Sequence, residues 1–212
     1  DQSDLIIFSD GPKNECDTGK VKAVREYIHL IQGFRKVEIH ESPVNKGLAT
    51  SVIAGVTEVV NRYGKVIVLE DDLVTSPFFL KFMNDALNKY EKEEQVVSIH
   101  GNTLEMVDTD QDTFFQRGAH CWGWATWKRA WVHIDIELQQ YDYRKEVVPL
   151  MVYDQQRAVH WLTALDLIDK NKVNAWDWPW YFSQAAQSQL CVFPSKNLVA
   201  NIGFGVDGTH CL

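Results

Sequence analysis

The sequence predicts an α/β fold in which helices flank a mainly parallel central sheet. Apolar segments of strand-like composition alternate with segments whose apolar residues recur at helical spacing, in the order strand, helix, strand, helix, strand, helix, strand. The run "KVIVL" from Lys65 is continuous and rich in β-branched residues, which is typical of a strand buried on both faces of a parallel sheet. Together these two observations predict a layered domain.

Short patterns predict the first elements. "DLIIFSDGP" predicts a strand over residues 5–8, followed by a turn at Gly11 and Pro12. A helix is predicted next, because Val21, Val24 and Ile28 are spaced three or four residues apart. "KVEIHES" alternates as a short strand does.

The following elements are predicted from apolar stripes at helical spacing and from helix-capping residues. "NKGLATSVIAGVTEVVNRYG" carries an apolar stripe from Leu48 to Tyr63, which predicts a second helix. After "KVIVL", Ser76 and Pro77 are the expected N-cap and first residue of a third helix ending near Lys92. "QVVSIHG" predicts the fourth strand of the series, and a further helix is predicted over residues 154–169.

Composition and charge exclude several classes of protein. The net charge is −8 and the basic residues are scattered, which argues against a nucleic-acid binder. No apolar run approaches the roughly 20 residues that a membrane span needs, although peripheral contact with a membrane stays open. The four cysteines, Cys16, Cys121, Cys191 and Cys211, show no paired spacing, so we expect free thiols and a cytoplasmic location.

Three adjacent acids, Glu70, Asp71 and Asp72, follow the strand "KVIVL". In an open parallel sheet, ligands bind beyond the carboxyl ends of the strands. Adjacent carboxylates repel one another unless a cation or hydrogen-bond donors stabilise them, and a hard divalent ion is the natural partner. The alternative is a turn whose acids favour the start of the next helix.

Several segments in the same order resemble the GT-A fold (Rossmann-like) glycosyltransferases, and most closely bacterial inverting sugar transferases. "VIVLEDDLVTSPFFLKFM" resembles their acidic metal-binding segment, and "NAWDWPWYF" partly resembles the W-D-D-W stretch of the N-acetylglucosaminyltransferase I type. The resemblance implies one GT-A domain over residues 1–212, with a nucleotide-sugar-binding half at 1–107 and an acceptor-binding half at 108–212. We also expect a piece of a longer chain that lacks the family's first strand and helix.

The resemblance also implies roles for individual residues in a nucleotide-sugar transferase of glycan biosynthesis. Asp72 would hold Mn²⁺ or Mg²⁺, and the C-terminal His210 would approach the metal. The expected contacts to the donor, a UDP-sugar, are Asp10, Gly11, Asn45, Lys46, Gly47, Glu70 and Asp71. The expected contacts to a carbohydrate acceptor are Trp122, Trp178 and Trp180, because aromatic faces stack on sugar rings; the alternative for tryptophans is a place in the core.

An inverting transfer needs a base to remove the acceptor proton, and Asp177 is the first candidate. Its alternative is a loop aspartate paired with a backbone amide, and Glu105 and Asp154 are the next candidates. Arg117 would reach a phosphate or form a surface ion pair. Two other functions stay open: a nucleotidyltransferase, which would need a Gly-rich basic loop near the first strand, and an inactive carbohydrate- or nucleotide-binding domain.

Overall fold

A computed structural model describes residues 2–103, 110–151, 155–170, 172–173 and 175–204. The chain forms two compact units, Asp1–Gly55 and Val56–Leu212. Both units combine helices with strands, so the predicted α/β character is confirmed. The GT-A fold and the division between residues 107 and 108 stay predictions. In the described part of the chain, no helix is both long enough and apolar enough to cross a membrane.

The first unit has the predicted order of elements. Its elements are β1 (Asp4–Ser9), α1 (Thr18–Ile28), β2 (Lys36–Glu41) and the first half of α2 (Leu48–Tyr63). β1 and β2 pair in parallel, from Asp4 opposite Lys36 to Ser9 opposite Glu41. The sequence pattern therefore placed these strands and helices to within a few residues.

Arg25 of α1 fixes the carboxyl ends of the two paired strands. Its guanidinium donates to the carbonyl oxygens of Ser9, Asp10 and Ser42 at 3.4, 3.2 and 2.7 Å. Carbonyl groups at a strand end lie outside the ladder, and the planar fork of an arginine satisfies several of them at once. α1 is thereby tied to the edge from which the loop at Asp10 begins.

The second unit contains a larger sheet, a separate antiparallel pair of short strands, and helices. Its described strands are β3 (Lys65–Val68), β4 (Leu73–Thr75), β5 (Val96–His100), β6 (Thr113–Gln116), β7 (Trp124–Trp127), β8 (Leu190–Pro194) and β9 (Val199–Asn201). Its described helices, besides the end of α2, are α3 (Phe79–Lys89), α4 (Lys128–Trp131), α5 (Val148–Met151), α6 (Gln155–Asp169) and α7 (Asp177–Ala186). The predicted strands at "KVIVL" and "QVVSIHG" are confirmed, as are the helices predicted after Pro77 and before residue 170.

The larger sheet has the strand order β3-β7-β5-β8-β6 and is mixed. Among its described strands, β5 and β8 pair in parallel and the other three pairings are antiparallel. The prediction of a mainly parallel central sheet is therefore wrong for this sheet. Two strands cause this: β7, a short buried strand, lies between β3 and β5 and runs against both, and the edge strand β6 runs against β8. β3, β5 and β8 nevertheless point the same way, so their carboxyl ends share one edge.

Two apolar clusters hold the second unit together. In the first, one face of α3 packs on the sheet; its buried members are Phe79, Met83, Ala86, Leu87, Val96, Ile99, Ala125, Trp127, Val192 and Val199. In the second, α6 and α7 pack with the π-helical turn Tyr143–Val147 and α5; its buried members are Tyr143, Val147, Val148, Ala164, Leu165, Phe182 and Ala185. The second cluster fixes α7, the helix that begins with Asp177.

Candidate functional site

The acidic turn Glu70, Asp71 and Asp72 directly connects β3 to β4. β4 pairs antiparallel with β9, with Leu73 opposite Asn201, and this pairing closes the turn from its far side. The backbone N–H of Ile202 donates to the carbonyl oxygen of Asp72 at 2.9 Å. The turn is therefore held by β9, a strand close to the end of the described chain.

Asp72 has one oxygen engaged and one oxygen buried without a partner. Asn201 donates its side-chain N–H to Asp72 Oδ2 at 3.2 Å, whereas Asp72 Oδ1 is buried and has no hydrogen-bond partner among the described residues. A Cβ at Gly203 would lie 2.4 Å from Oδ2, so only glycine fits beside this carboxylate. A buried carboxylate oxygen without a donor is costly unless a cation or ligand supplies one.

The surroundings of Glu70 raise the pKa of its carboxyl group. Burial is the main cause that raises the pKa of Glu70 to about 7, and the charges of Asp72, Asp177 and Asp71 raise it further, while a side-chain hydrogen bond from Trp176 opposes the shift. Its Oε1 atom is buried without a partner among the described residues. The Glu70 carboxyl group therefore lies within electrostatic reach of acids from two separate segments.

Asp177 comes to the acidic turn from the first residue of α7. The alternative of a loop aspartate is wrong, because Asp177 lies in the first turn of a ten-residue helix, where the helix dipole favours a negative charge. Its charge acts on Glu70 and on the thiol of Cys121. The structure thus places Asp177 within electrostatic reach of Glu70, the first acid of the turn.

The acidic cluster of Glu70, Asp71, Asp72 and Asp177 suits a hard divalent cation whose remaining ligands are water or phosphate oxygens. The available protein ligands are carboxylate oxygens, which Mg²⁺ and Mn²⁺ prefer, and two of these oxygens are buried and unpartnered. Within the described residues, however, no three side chains of this cluster bring their ligand atoms within 4.8 Å of one another. Magnesium sites commonly use one or two carboxylates and complete their shell with water and substrate phosphate.

The structure also brings together the residues predicted to contact the donor in the first unit. The Asp10 carboxylate accepts the backbone N–H groups of Gly11, Lys46 and Gly47 at 2.9–3.0 Å. Asn45 donates its side-chain N–H to the carbonyl oxygen of Gly11 at 2.9 Å. These contacts join the loop after β1 to the start of α2, so the observed role of Asp10 is to fix that loop, and donor binding stays a prediction.

We expect Asp10→Asn to destabilise the protein by about 1 kcal/mol, because one amide N–H replaces an oxygen that accepts backbone N–H groups at the start of a helix. Burial raises the pKa of Asp10, but its hydrogen bonds outweigh burial and hold it below 3.8. The stabilisation is therefore present above the ordinary pKa and is lost as the pH falls through the folded-state value. Urea denaturation at pH 7 and pH 3 measures the difference, and a loss that is equal at both pH values would contradict the assignment.

A matched control for that experiment is Asp17→Asn. Asp17 is the N-cap residue of α1 in the same unit, but its side chain makes no capping hydrogen bond. We expect this variant to change the free energy of unfolding by less than about 0.5 kcal/mol.

The three tryptophans predicted to contact an acceptor differ in their exposure. Trp180 is 4% exposed, and its ring packs 4.2 Å from that of Trp124, centroid to centroid. It is therefore a core residue and has little surface to offer a ligand. Trp178 and Trp122 are partly buried against the two apolar clusters, and Trp122 contacts the exposed ring of Phe204 edge-on at 5.2 Å. An acceptor-binding role remains a prediction for Trp122 and Trp178.

Three further candidates, His210, Glu105 and Asp154, lie outside the described residues. Arg117 is exposed. Sequence reasoning missed Asn201, Trp176, Tyr181 and Cys121, which surround the acids. The spacing of Asp177 and Tyr181, four residues apart, was the signal that would have paired these two on one helix face.

Glu70 gives the site a pH dependence that the variant Glu70→Gln should remove. Because the pKa of Glu70 rises from 4.5 to about 7 on folding, the folded state binds more protons than the unfolded state between these values. The free energy of unfolding should fall as the pH rises through this window and level off above it. Discounted for partial exposure, the loss is about 1–2 kcal/mol.

Urea denaturation of Glu70→Gln at pH 4 and pH 8 checks this expectation. The variant should match the wild-type protein at pH 4 and exceed it in stability at pH 8. The exposed Glu137 of the same unit provides the control Glu137→Gln, which should show no such pH dependence. A Glu70→Gln variant that is less stable than the wild type at pH 8 would contradict the assigned electrostatics.

A scan of protein-family models and a search of curated proteins found no match to this chain.

Proposed function

We propose that this protein is a metal-assisted, inverting glycosyltransferase that moves a sugar from a nucleotide-sugar to an acceptor hydroxyl. The observation that carries the proposal is that Asp177, from α7, lies within electrostatic reach of Glu70 in the β3–β4 turn. A transferase of this kind needs two separate acidic functions, one for the leaving diphosphate and one for the acceptor proton. Two segments far apart in sequence supply carboxylates to one place.

Asp72 is the residue that would hold the divalent ion, through its buried Oδ1 atom. When bound, Mn²⁺ or Mg²⁺ stabilises the negative charge that develops on the leaving diphosphate. Asn201 orients the carboxylate by donating to Oδ2, and Gly203 leaves room for it. Because the described side chains of this cluster do not form a complete cage, we expect tight metal binding only when a nucleoside diphosphate is also bound.

Asp177 is the base of the proposed reaction. Its carboxylate accepts the proton of the acceptor hydroxyl as the acceptor oxygen bonds to the anomeric carbon. The bond between that carbon and the diphosphate breaks, and its electron pair leaves with the nucleoside diphosphate. Attack from the face opposite the leaving group inverts the configuration of the sugar. Glu70 and Asp71 would meanwhile bind hydroxyl groups of the donor.

The cytoplasmic location also belongs to this proposal. The three cysteines in the described part of the chain, Cys16, Cys121 and Cys191, are free thiols. Free thiols are usual in a reducing compartment such as the cytosol.

A thermal-shift screen of nucleotide-sugars and nucleoside diphosphates, with and without Mn²⁺, tests the proposal. A ligand that binds only the folded state raises the apparent melting temperature. We expect at least one UDP-sugar or other nucleotide-sugar to raise it, and the rise to be larger with Mn²⁺ than without. If no nucleotide ligand shifts the melting temperature under either condition, the donor proposal fails, and a shift by nucleoside triphosphates alone would favour a nucleotidyltransferase.

A further inference from the structure

Asn102 carries a buried side-chain oxygen to which no described residue donates. The residue comes two positions after the end of β5 and is 3% exposed. Its Oδ1 atom is buried and has no hydrogen-bond partner among the described residues. A buried polar atom left without a partner costs about 1–3 kcal/mol, so its presence in a folded protein needs a reason. A ligand that donates a hydrogen bond to this oxygen supplies one.

The backbone on both sides of Asn102 is fixed without help from its side chain. The N–H of Gly101 donates to the carbonyl oxygen of Gly123 at 2.7 Å, which extends the pairing of β5 with β7. The N–H of Thr103 donates to Oδ1 of Asn197 at 2.8 Å. A change of the Asn102 side chain should therefore leave the course of the chain as it is.

The side chain of Asn102 points to the face of the sheet that α7 covers. A Cβ at Gly101 would lie 2.7 Å from the ring of Phe79, the first residue of α3, so this position faces α3. Successive residues of an extended chain point to opposite faces, so Asn102 faces away from α3. His100, two residues earlier, points the same way, since its ring centroid lies 5.8 Å from that of Trp180 in α7.

The strand register places Asn102 level with the acidic turn. Val68 of β3 and His100 of β5 are both paired with Trp124 of β7, the strand between them. Glu70 and Asn102 each come two residues after this row, on either side of β7. Two strand spacings, about 10 Å, therefore separate them.

The start of α7 lies over the strand between Glu70 and Asn102. The ring of Trp176, the N-cap residue of α7, stacks on that of Trp124 with the centroids 5.2 Å apart. Asp177 follows Trp176 and begins the helix. Asp177 is thus flanked by the acidic turn on one side and by Asn102 on the other.

Unpartnered polar atoms collect in this part of the molecule. Five side-chain N and O atoms of the described residues are buried without a hydrogen-bond partner. Four of them belong to Trp124 or to residues just beyond its row, namely Glu70, Asp72, Trp124 and Asn102. Convergent polar groups of this kind are what a polar ligand completes.

We propose that Asn102 binds a hydroxyl group of the carbohydrate acceptor, which donates a hydrogen bond to Oδ1. This inference rests on the proposed function, in which Asp177 is the base and the acids of the β3–β4 turn bind the donor and the metal. The acceptor then enters on the other side of Asp177, where Asn102 lies.

The hydroxyl bound by Asn102 is a second one, distinct from the hydroxyl that loses its proton to Asp177. A hydroxyl has one proton to donate, which matches the unused acceptor of the amide. Because Oδ1 is closed to solvent, neighbouring side chains must shift when the acceptor binds, as side chains at binding surfaces commonly do.

The first test compares Asn102→Leu with Gln184→Met. Each variant replaces a 3% exposed amide that has one unpartnered atom by an apolar side chain of similar size. Gln184 lies seven residues after Asp177 in α7, about two helical turns away. We expect Asn102→Leu to raise the KM for the acceptor by about 2- to 10-fold, the range for one hydrogen bond, and to leave the dissociation constant of the donor unchanged. Gln184→Met should change neither. Equal acceptor KM values in the two folded variants would overturn the proposal.

A second measurement needs neither turnover nor a variant. The side-chain amide resonances of Asn102 in the wild-type protein are assigned by triple-resonance NMR. The methyl glycosides of glucose, galactose, mannose and N-acetylglucosamine are then added one at a time in the presence of UDP and Mg²⁺. We expect at least one glycoside to shift the Asn102 resonances while those of Gln184 stay in place. If none of the four shifts them, the proposal is wrong.

The two readouts separate this inference from the proposed function. If a glycoside shifts the Asn102 resonances but the wild-type protein transfers no sugar, the proposed function fails and the binding role of Asn102 stands. If the wild type transfers a sugar and Asn102→Leu keeps the wild-type KM for the acceptor, the role of Asn102 is wrong and the proposed function stands.

Discussion

Replacing Asp177 with asparagine should lower the rate of sugar transfer by about 10²- to 10⁴-fold, the range expected for loss of a general base. Asparagine keeps the size of the side chain but does not accept the acceptor proton. The effect should fall on kcat, and the dissociation constant of the nucleotide-sugar should change little, because the base acts on the acceptor. Steady-state transfer assays combined with equilibrium donor binding measure both quantities.

The control for this variant is Asp85→Asn. Asp85 is an exposed residue of α3 that pairs with Lys81 in the same unit, so its loss should leave the rate unchanged. Asp177→Asn should also fold, because the loss of the favourable charge at the start of α7 is offset by removal of the charge that acts on Glu70. A folded Asp177→Asn variant with wild-type kcat would exclude Asp177 as the base.

The second large effect is expected at Asp72. Asp72→Asn keeps an oxygen that can accept from Asn201 but removes the negative charge that attracts the cation, so metal-dependent activity should fall by about 10²-fold or more. The Mn²⁺-dependent part of the thermal shift given by a nucleoside diphosphate should disappear. Differential scanning fluorimetry with and without Mn²⁺ measures that part directly.

Asp71→Asn is the matched control for the metal assignment, since Asp71 is the exposed neighbour of Asp72 in the same turn. It should keep the metal-dependent shift, whereas its donor affinity should weaken. If Asp72→Asn responds to Mn²⁺ as the wild type does and Asp71→Asn does not, the ligand is Asp71 and the assignment to Asp72 is wrong.

The parts of the fold that were predictable are those with long periodic patterns. α2 was predicted from its stripe and ends at Tyr63 as expected, and the apolar run at Lys65 predicted β3, which is a half-buried edge strand and not one buried on both faces. β7 was not predicted, because its four residues, Trp124–Trp127, are all buried and show no alternation. The sheet is mixed because of this short strand and of β6, neither of which was predicted from the sequence pattern.

The candidate site was predictable to a similar degree. The acids at the end of β3 were recognised because ligand-binding residues commonly lie at the carboxyl ends of strands. Asn201 was missed, because it reaches Asp72 only through the pairing of β4 with β9. These strands have three residues each, which is too short to show a pattern in the sequence. The helix at Asp177 was not predicted, because it begins with aromatic residues of modest helix propensity and a proline. Proline is tolerated there because the first turn needs no intrahelical N–H.

The most direct test of the account is donor consumption by the full-length wild-type chain. The protein is incubated with a panel of nucleotide-sugars and a carbohydrate acceptor in Mn²⁺ or Mg²⁺, and both the nucleoside diphosphate released and the anomeric configuration of the product are measured by NMR. We predict that at least one donor is consumed, that the product is inverted, and that a chelator stops the reaction. If no donor in the panel is consumed with either metal, or if the product retains its configuration, the proposed inverting transfer is contradicted.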